Sequence, residues 1–400
     1  MSDTSPISVG AILLTACLVA IVSQRLRIPY SVGLLLAGVA LALAPWTIDL
    51  PLTRELIFSV FLPPLVFQAA IELRWLHFRR NLPLTLLLAL PGVVISAGVV
   101  AVGAYALLGW SPLGAAFFGV LIAATDPVAV IATFKTLNTE GRLKLLVESE
   151  SLLNDGTAAV GFGVLTGLAA GAGTSPLAIG GELLSSISGG VASGVATAGL
   201  LLVVAGRTED HLVEITLTAL AAYGSFFIAE HFHVSGVLAS LSAGLVVGNQ
   251  GWKGAISGHG RDHVLAFWDF AAFLMNSVVF ILIGGHEAHQ PLARVGAAAA
   301  IAAGLVLLGR ACAVYPLAAL VRRTGQRIDA RYQHVLFWAG LRGAMALALA
   351  LSLPPTLAER GEIIAVTFAV VGFSIVVQGL TMPWLVRRLG LVRSAPNEPE

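Results

Sequence analysis

Charge is scarce in this sequence. Of its 400 residues only 11% are Asp, Glu, Lys or Arg, where a soluble domain carries about a quarter. With 57% hydrophobic residues and a mean hydropathy of +0.89, the chain cannot cover a globular surface with polar groups and reads as an integral membrane protein. Cysteine is nearly absent. Cys17 and Cys312 both lie in apolar runs, which argues against a disulfide framework or a thiolate metal site. Basic residues are missing from the extreme N-terminus, which holds Asp3, whereas Arg25 and Arg27 follow the first apolar run. A cleavable signal peptide has the opposite polarity, so none is expected. A net charge of +1 offers no bulk attraction to a polyanion, so no nucleic-acid partner is expected. No polar stretch is long enough for a soluble domain. Glycine is abundant, with 43 residues, as expected where helices approach closely in lipid.

Hydropathy predicts about thirteen spans, near 7–24, 30–44, 55–71, 82–108, 112–135, 143–170, 178–205, 211–230, 234–248, 263–285, 292–321, 332–353 and 361–386, each close to the length a bilayer requires. Residues 1–392 form one membrane domain on this reading, and 393–400 a short cytoplasmic tail. Nearly all of the 23 basic residues fall on alternate loops of one side. Only Arg54, Arg294 and Arg360 fall on the other, and Arg310 and Arg342 lie within spans. The positive-inside rule then puts the N-terminus outside and the C-terminus in the cytoplasm of a multi-pass cell-membrane protein.

Two spans carry breaks. In the fifth, Pro127 of Ala124-Thr125-Asp126-Pro127 lacks an amide donor and pushes Asp126 towards extended backbone. An ordinary loop between two shorter helices is the plainer reading, but it would spoil the alternation of charge. The twelfth contains Gly340-Leu341-Arg342-Gly343, a charge flanked by glycines at mid-span. These spans lie seven apart in order, so they cross the membrane in opposite directions. Spans 1–6 and 8–13 then form an inverted repeat with span 7 as the link, an arrangement typical of secondary transporters with two crossed, discontinuous helices. Asp126 offsets the positive end of a half-helix there, Arg342 the negative ends, and freed carbonyls such as that of Thr125 can face a cation.

The densest polar stretch is Glu148-Ser149-Glu150-Ser151-Leu152-Leu153-Asn154-Asp155-Gly156-Thr157. A helix opening near Leu143 carries Asp155 about 18 Å along its axis, beyond the middle of a ~30 Å hydrocarbon core. The helical period puts Ser151 and Asp155 on one face, and Glu150 and Asn154 on the next. An ionisable group at that depth marks an ion pathway or proton relay. The alternative is a helix cap, because Asn-Asp-Gly also forms turns. Arg310, at the middle of span 11, needs a partner. Glu150 is the favoured one, in a structural ion pair that leaves Arg342 to the crossing; the reverse assignment stays open.

These segments carry a resemblance. With Phe61-Leu62-Pro63-Pro64, Thr125-Asp126-Pro127-Val128-Ala129-Val130, Glu150-Ser151-Leu152-Leu153-Asn154-Asp155 and Gly340-Leu341-Arg342-Gly343-Ala344 in this order and spacing, the chain resembles the first monovalent cation:proton antiporter family. That family comprises the prokaryotic NhaP-like proteins and the eukaryotic Na+/H+ exchangers. The resemblance implies an all-α polytopic antiporter fold, a homodimer with a mobile six-helix core, and exchange of Na+ or Li+ for H+ without a cofactor. It implies that Asp155 binds cation or proton, with Asp126, Ser151 and the Thr125 carbonyl completing the Na+ site. Asn154 before the aspartate goes with electroneutral exchange in this family. Glu72 matches an acidic ligand of some members, although Arg74 follows it closely and an interfacial acid fits as well.

Other polar residues have plainer readings. Glu182, Glu214 and Asp269 line the cytoplasmic funnel or cap helices. Glu230-His231-Phe232-His233 and His286-Glu287-Ala288-His289 are solvated loops despite their metal-like spacing. K+/H+ exchange is the nearest alternative function. An intramembrane aspartyl hydrolase is remote, because Asp126 precedes proline rather than sitting in a Gly-Asp pair, and no His-Glu-x-x-His motif is present. A channel would want like charges ringed around a pore, whereas the two breaks carry opposite ones. The chain therefore reads as a transporter, not an enzyme.

Overall fold

A computed structural model describes residues 6–26, 28–44, 53–139, 141–171, 175–206, 209–251, 254–287 and 292–392. Asp3, Arg27, the segment holding Ala288 and His289, and the tail from Arg393 to Glu400 lie outside them. The described chain is helical, without strands. In order it forms α1 (Pro6–Leu26), α2 (Tyr30–Leu43), α3 (Leu62–Glu72), α4 (Trp75–Ala89), α5 (Pro91–Leu108), α6 (Pro112–Leu121), α7 (Val128–Thr136), α8 (Arg142–Ala169), α9 (Pro176–Ala205) and α10 (His211–His231). Then come α11 (Gly236–Gln250), α12 (Gly258–Glu287), α13 (Leu292–Leu320), α14 (Ala330–Trp338), α15 (Ala344–Leu351), α16 (Arg360–Phe373) and α17 (Gly379–Arg388). Among the described residues, seven helical stretches are long and apolar enough to cross a membrane. The remaining expected spans are the shorter apolar helices α1, α2, α3 and α11 and the broken pairs α6–α7 and α14–α15.

Two helix starts differ from the sequence expectation. The fourth span opens at Trp75, seven residues early, and takes in Arg79 and Arg80. Hydropathy sees only the apolar part, whereas Asn81 bonds back to the His77 carbonyl and accepts from Arg142 Nε at 2.9 Å, extending the helix through its polar turn. Likewise α12 opens at Gly258 because the Glu214 carboxylate accepts the Ser257 amide at 2.7 Å.

The helices pack as two bundles. In one, α1–α3 and α9–α12 contact each other; in the other, α4–α8 pack with α13–α17. Small residues permit the tightest crossings. A Cβ on Gly38 would strike the Ile281 carbonyl, and one on Gly284 the Leu35 carbonyl, so α2 and α12 touch backbone to backbone. The bundles meet along α8, which contacts α3, α9 and α11 on one side and α4, α6 and α7 on the other, and also where α12 touches α16 and α2 touches α7. That seam positions the site.

Candidate ion-binding site

Two broken helices cross at the centre of the second bundle. Between α6 and α7 residues 123–127 are unwound, and between α14 and α15 residues 339–343. The Asp126 amide donates to the Leu341 carbonyl at 2.7 Å, joining the two unwound segments. Each half-helix that ends here leaves carbonyls without helical partners, and each receives an arginine. Arg342, 1% exposed, donates from Nη1 to the carbonyls of Ala123 and Ala124 at 2.9 and 3.0 Å, beyond the C-terminus of α6. Arg310 donates from Nε and Nη2 to the Leu336 carbonyl, at 3.2 and 2.8 Å, in the last turn of α14. The half-helices that begin here receive an acid. Asp126 Oδ1 accepts the Val128 amide at 2.9 Å at the start of α7. A Cβ on Gly343 would collide with the same carboxylate, so Asp126 also faces the start of α15. Charges therefore oppose the dipole at all four ends.

Helix α8 passes beside this crossing. Its Ser151 hydroxyl donates to the Thr125 carbonyl. Asn154 Nδ2 donates to Thr125 Oγ1 and to Glu150 Oε1, both at 3.2 Å. Glu150, 3% exposed, is held by both terminal nitrogens of Arg310, with Nη2 at 2.8 Å from Oε2. One turn further along, Asp155 differs: its Oδ1 is buried and has no hydrogen-bond partner among the described residues, and neither has Asn154 Oδ1. Asp155 opens onto a cavity of about 110 Å³ that Thr125, Asp126, Ser151, Gln68 and Asn276 also line. A water occupies ~30 Å³ in the liquid, so the space suits a cation with a few waters. The rest of its lining is mostly apolar, so the carboxylates of Asp126 and Asp155 with Ser151 and Thr125 stand out as oxygen-bearing residues there, the ligand type hard cations prefer. Among the described residues, no histidine or cysteine lines it.

Residues 12–388 match the transmembrane sodium/hydrogen exchanger family. The chain belongs to that family. It is 39% identical to the Na+/H+ antiporter ApNhaP of Aphanothece halophytica, over 92% of this chain and 70% of that protein. It is 34% identical to the Na+/H+ antiporter NhaH of Halobacillus dabanensis, over 93% and 94%. The structure of the sodium proton antiporter MjNhaP1 from Methanocaldococcus jannaschii superposes with a TM-score of 0.75 at 20% identity, covering 96% of this chain and 98% of that one, and shares the fold. An exchanger family is one of membrane transporters rather than enzymes.

Within this exchanger-family chain, the other expected site residues lie elsewhere. Glu72, exposed at the end of α3, does not line the Asp155 cavity. It lines a neighbouring one of about 760 Å³ with Arg74, Arg80, Lys144 and Glu148. Gln68 joins the two, lining the Asp155 cavity while donating to Glu72 at 2.8 Å and to Asp269 at 2.9 Å. Glu182 lies with Arg54, Glu230 and His233 in a third cavity, along residues 159–166 of α8. Glu230 caps α11 through the Gly236 amide at 3.2 Å, and among the described residues no cluster of three or more metal-ligating side chains occurs.

Sequence reading passed over Gln68, Asn276, Ser374 and Gln378. Ser374 accepts the Arg342 amide at 3.0 Å, and Gln378 donates to the Trp338 carbonyl at 3.2 Å, so the π-helical turn at Ser374–Gln378 braces the second crossing segment. The available signal was a neutral polar residue inside an apolar run, which costs less than a charge and is easily ignored.

Proposed function

We propose that this chain is a secondary antiporter exchanging Na+ (or Li+) for H+, with Asp155 taking cation and proton in turn under alternating access. The observation that carries this reading is the buried Asp155 oxygen, without a partner among the described residues, beside a small, mostly apolar cavity that Asp126, Ser151 and Thr125 also line. Its relatives, named as Na+/H+ antiporters, supply the substrates. Asp155, Asp126, Ser151 and the Thr125 carbonyl hold the ion on this reading. Asn154 orients Thr125, and Glu150 with Arg310 fixes α8 against α13 and α14. Residues 1–392 act as an inverted repeat around the crossing, in a homodimer in the cell membrane with the N-terminus outside.

One exchangeable carboxylate makes the cycle electroneutral. Glu150 stays bonded to Arg310, Asn154 is neutral, and Asp126 is held between two half-helix ends. A cation and a proton then compete for the same oxygens. In proteoliposomes carrying a pH-sensitive dye, adding Na+ or Li+ should dequench the dye at a rate independent of an imposed membrane potential. The half-saturating Na+ concentration should rise as pH falls. A steady current scaling with Na+ would overturn the single-carboxylate cycle. A response to K+ alone would make the chain a K+/H+ antiporter at the same site.

A further inference from the structure

Far from the crossing, two adjacent residues of opposite charge hold the other ends of two half-helices. Glu359 accepts the Ser111 amide at 2.9 Å through Oε1 and the Ser111 hydroxyl at 3.1 Å through Oε2. Ser111 is the N-cap of α6, and its hydroxyl also accepts the Gly114 amide at 3.1 Å. The next residue, Arg360, donates from Nε to the Leu353 carbonyl at 3.0 Å and from Nη2 to the Leu351 carbonyl at 3.3 Å, at the C-terminus of α15. A carboxylate thus sits at the positive end of α6 and a guanidinium at the negative end of α15. These are the half-helices that run into the crossing from this side: α6 ends at the carbonyls bound by Arg342, and α15 begins beside Asp126. Both charges belong to the start of α16, which packs on α15 and α6. About 21 Å further along, at 1.5 Å per residue, the same continuous helix offers Ser374 to the Arg342 amide.

We propose that Glu359 and Arg360 are positioning residues for ion binding: a clasp that joins α6 and α15 at their far ends, so that they and α16 carry the two unwound segments as one body. This rests on the antiport reading for its functional consequence but not for its mechanics. The Ser111 amide holds the Glu359 carboxyl below the ordinary range of a glutamate, so the clasp is charged at neutral pH. Cutting either half frees one half-helix to shift, and the Thr125 carbonyl and Asp126 then lose their placement relative to Asp155.

The test compares Glu359→Gln, Arg360→Gln, Glu359→Asp and Arg360→Lys in the full chain. Each Gln variant should raise the half-saturating Na+ concentration about threefold or more, with the Asp and Lys variants returning towards the parent value. In nanodiscs, hydrogen exchange of amides in 123–128 and 340–344 should quicken about tenfold, although those amides lie a helix-length away. If the Gln variants fail to fold, Ser111→Ala, which removes only the hydroxyl, should move both readouts in the same direction. A lower melting temperature with unchanged Na+ dependence and unchanged exchange at the crossing would reduce the pair to two local helix caps and overturn the proposal. If the parent chain passes no Na+, the antiport reading falls, and exchange at the crossing still decides the clasp.

Discussion

Glu150 and Asp155 sit five residues apart on α8 and are treated oppositely. Glu150 is saturated: two arginine nitrogens and the Asn154 amide take its oxygens. Asp155 has a buried oxygen that nothing in the described chain takes. The same chemical group can thus lock a structure or hold a place for a ligand, and the difference lies in the partners. A buried ion pair is weak evidence of net stabilisation, yet breaking one is costly. An idle buried oxygen costs stability unless something transient binds it. On the proposed reading the first carboxylate belongs to the frame and the second to the cargo.

The largest expected effect tests the second half of that contrast. Asp155→Asn should abolish cation-dependent proton flux in proteoliposomes while leaving the melting temperature near or above that of the parent chain. Retained exchange would move the ion site elsewhere and erase the distinction. Next comes the frame. Glu150→Ala and Arg310→Ala should each destabilise by about 3–5 kcal/mol, and the double variant by less than their sum in a thermal-shift cycle. Strict additivity would show that the pair does not act as a unit. A smaller effect is expected at Ser151, which lies between the two. Ser151→Ala leaves the Thr125 carbonyl without its donor, a loss of ~1–3 kcal/mol that should weaken Na+ affinity by about tenfold and leave the maximal rate largely intact. A change in stability alone would place Ser151 with the frame.

The smallest effect concerns an acid that is neither deep nor idle. Glu359 has its carboxyl lowered first of all by the Ser111 amide. A lowered folded-state value means that its contribution is present above the unfolded value and is lost as pH falls through the folded one. The melting temperature of the parent chain should therefore exceed that of Glu359→Gln by a constant margin at neutral and mildly acidic pH, and the margin should shrink once the pH falls below the ordinary glutamate value of about 4.3. A margin that varied between pH 8 and 6 would assign the titration to another group.

Much of the fold was legible in the sequence because the bilayer simplifies it. Sparse charge and apolar runs of fixed length leave few choices, and each expected span has a helical counterpart. Pro127 and the glycines around Arg342 marked the breaks, since both disturb a helix locally. The starts of α4 and α12 were not legible, because they depend on Arg142 and Glu214, which lie far away in sequence. In the candidate site, the period of α8 grouped Ser151 with Asp155 and Glu150 with Asn154. It could not say which cavity Glu72 faces, because a residue at a helix end has no depth signal of its own. Gln68 and Asn276 escaped notice for another reason: a neutral amide in an apolar helix shows its purpose only once its neighbours are known.

The bond between Arg310 and Glu150 spans 160 residues of sequence, and this has a consequence for biogenesis. The chain is made from its N-terminus, so α8 enters the bilayer while α13 is still unwritten. Glu150 waits in the membrane without its cation until five further helices have followed. When α13 arrives, its central arginine costs ~2.5–3.5 kcal/mol to insert alone, and the waiting carboxylate supplies the reason to stay. Docking of α13 against α8 is thereby reported by a single contact. A chain stalled or cut before residue 310 would carry an unmated acid in lipid, the kind of flaw by which a membrane quality-control protease could recognise it.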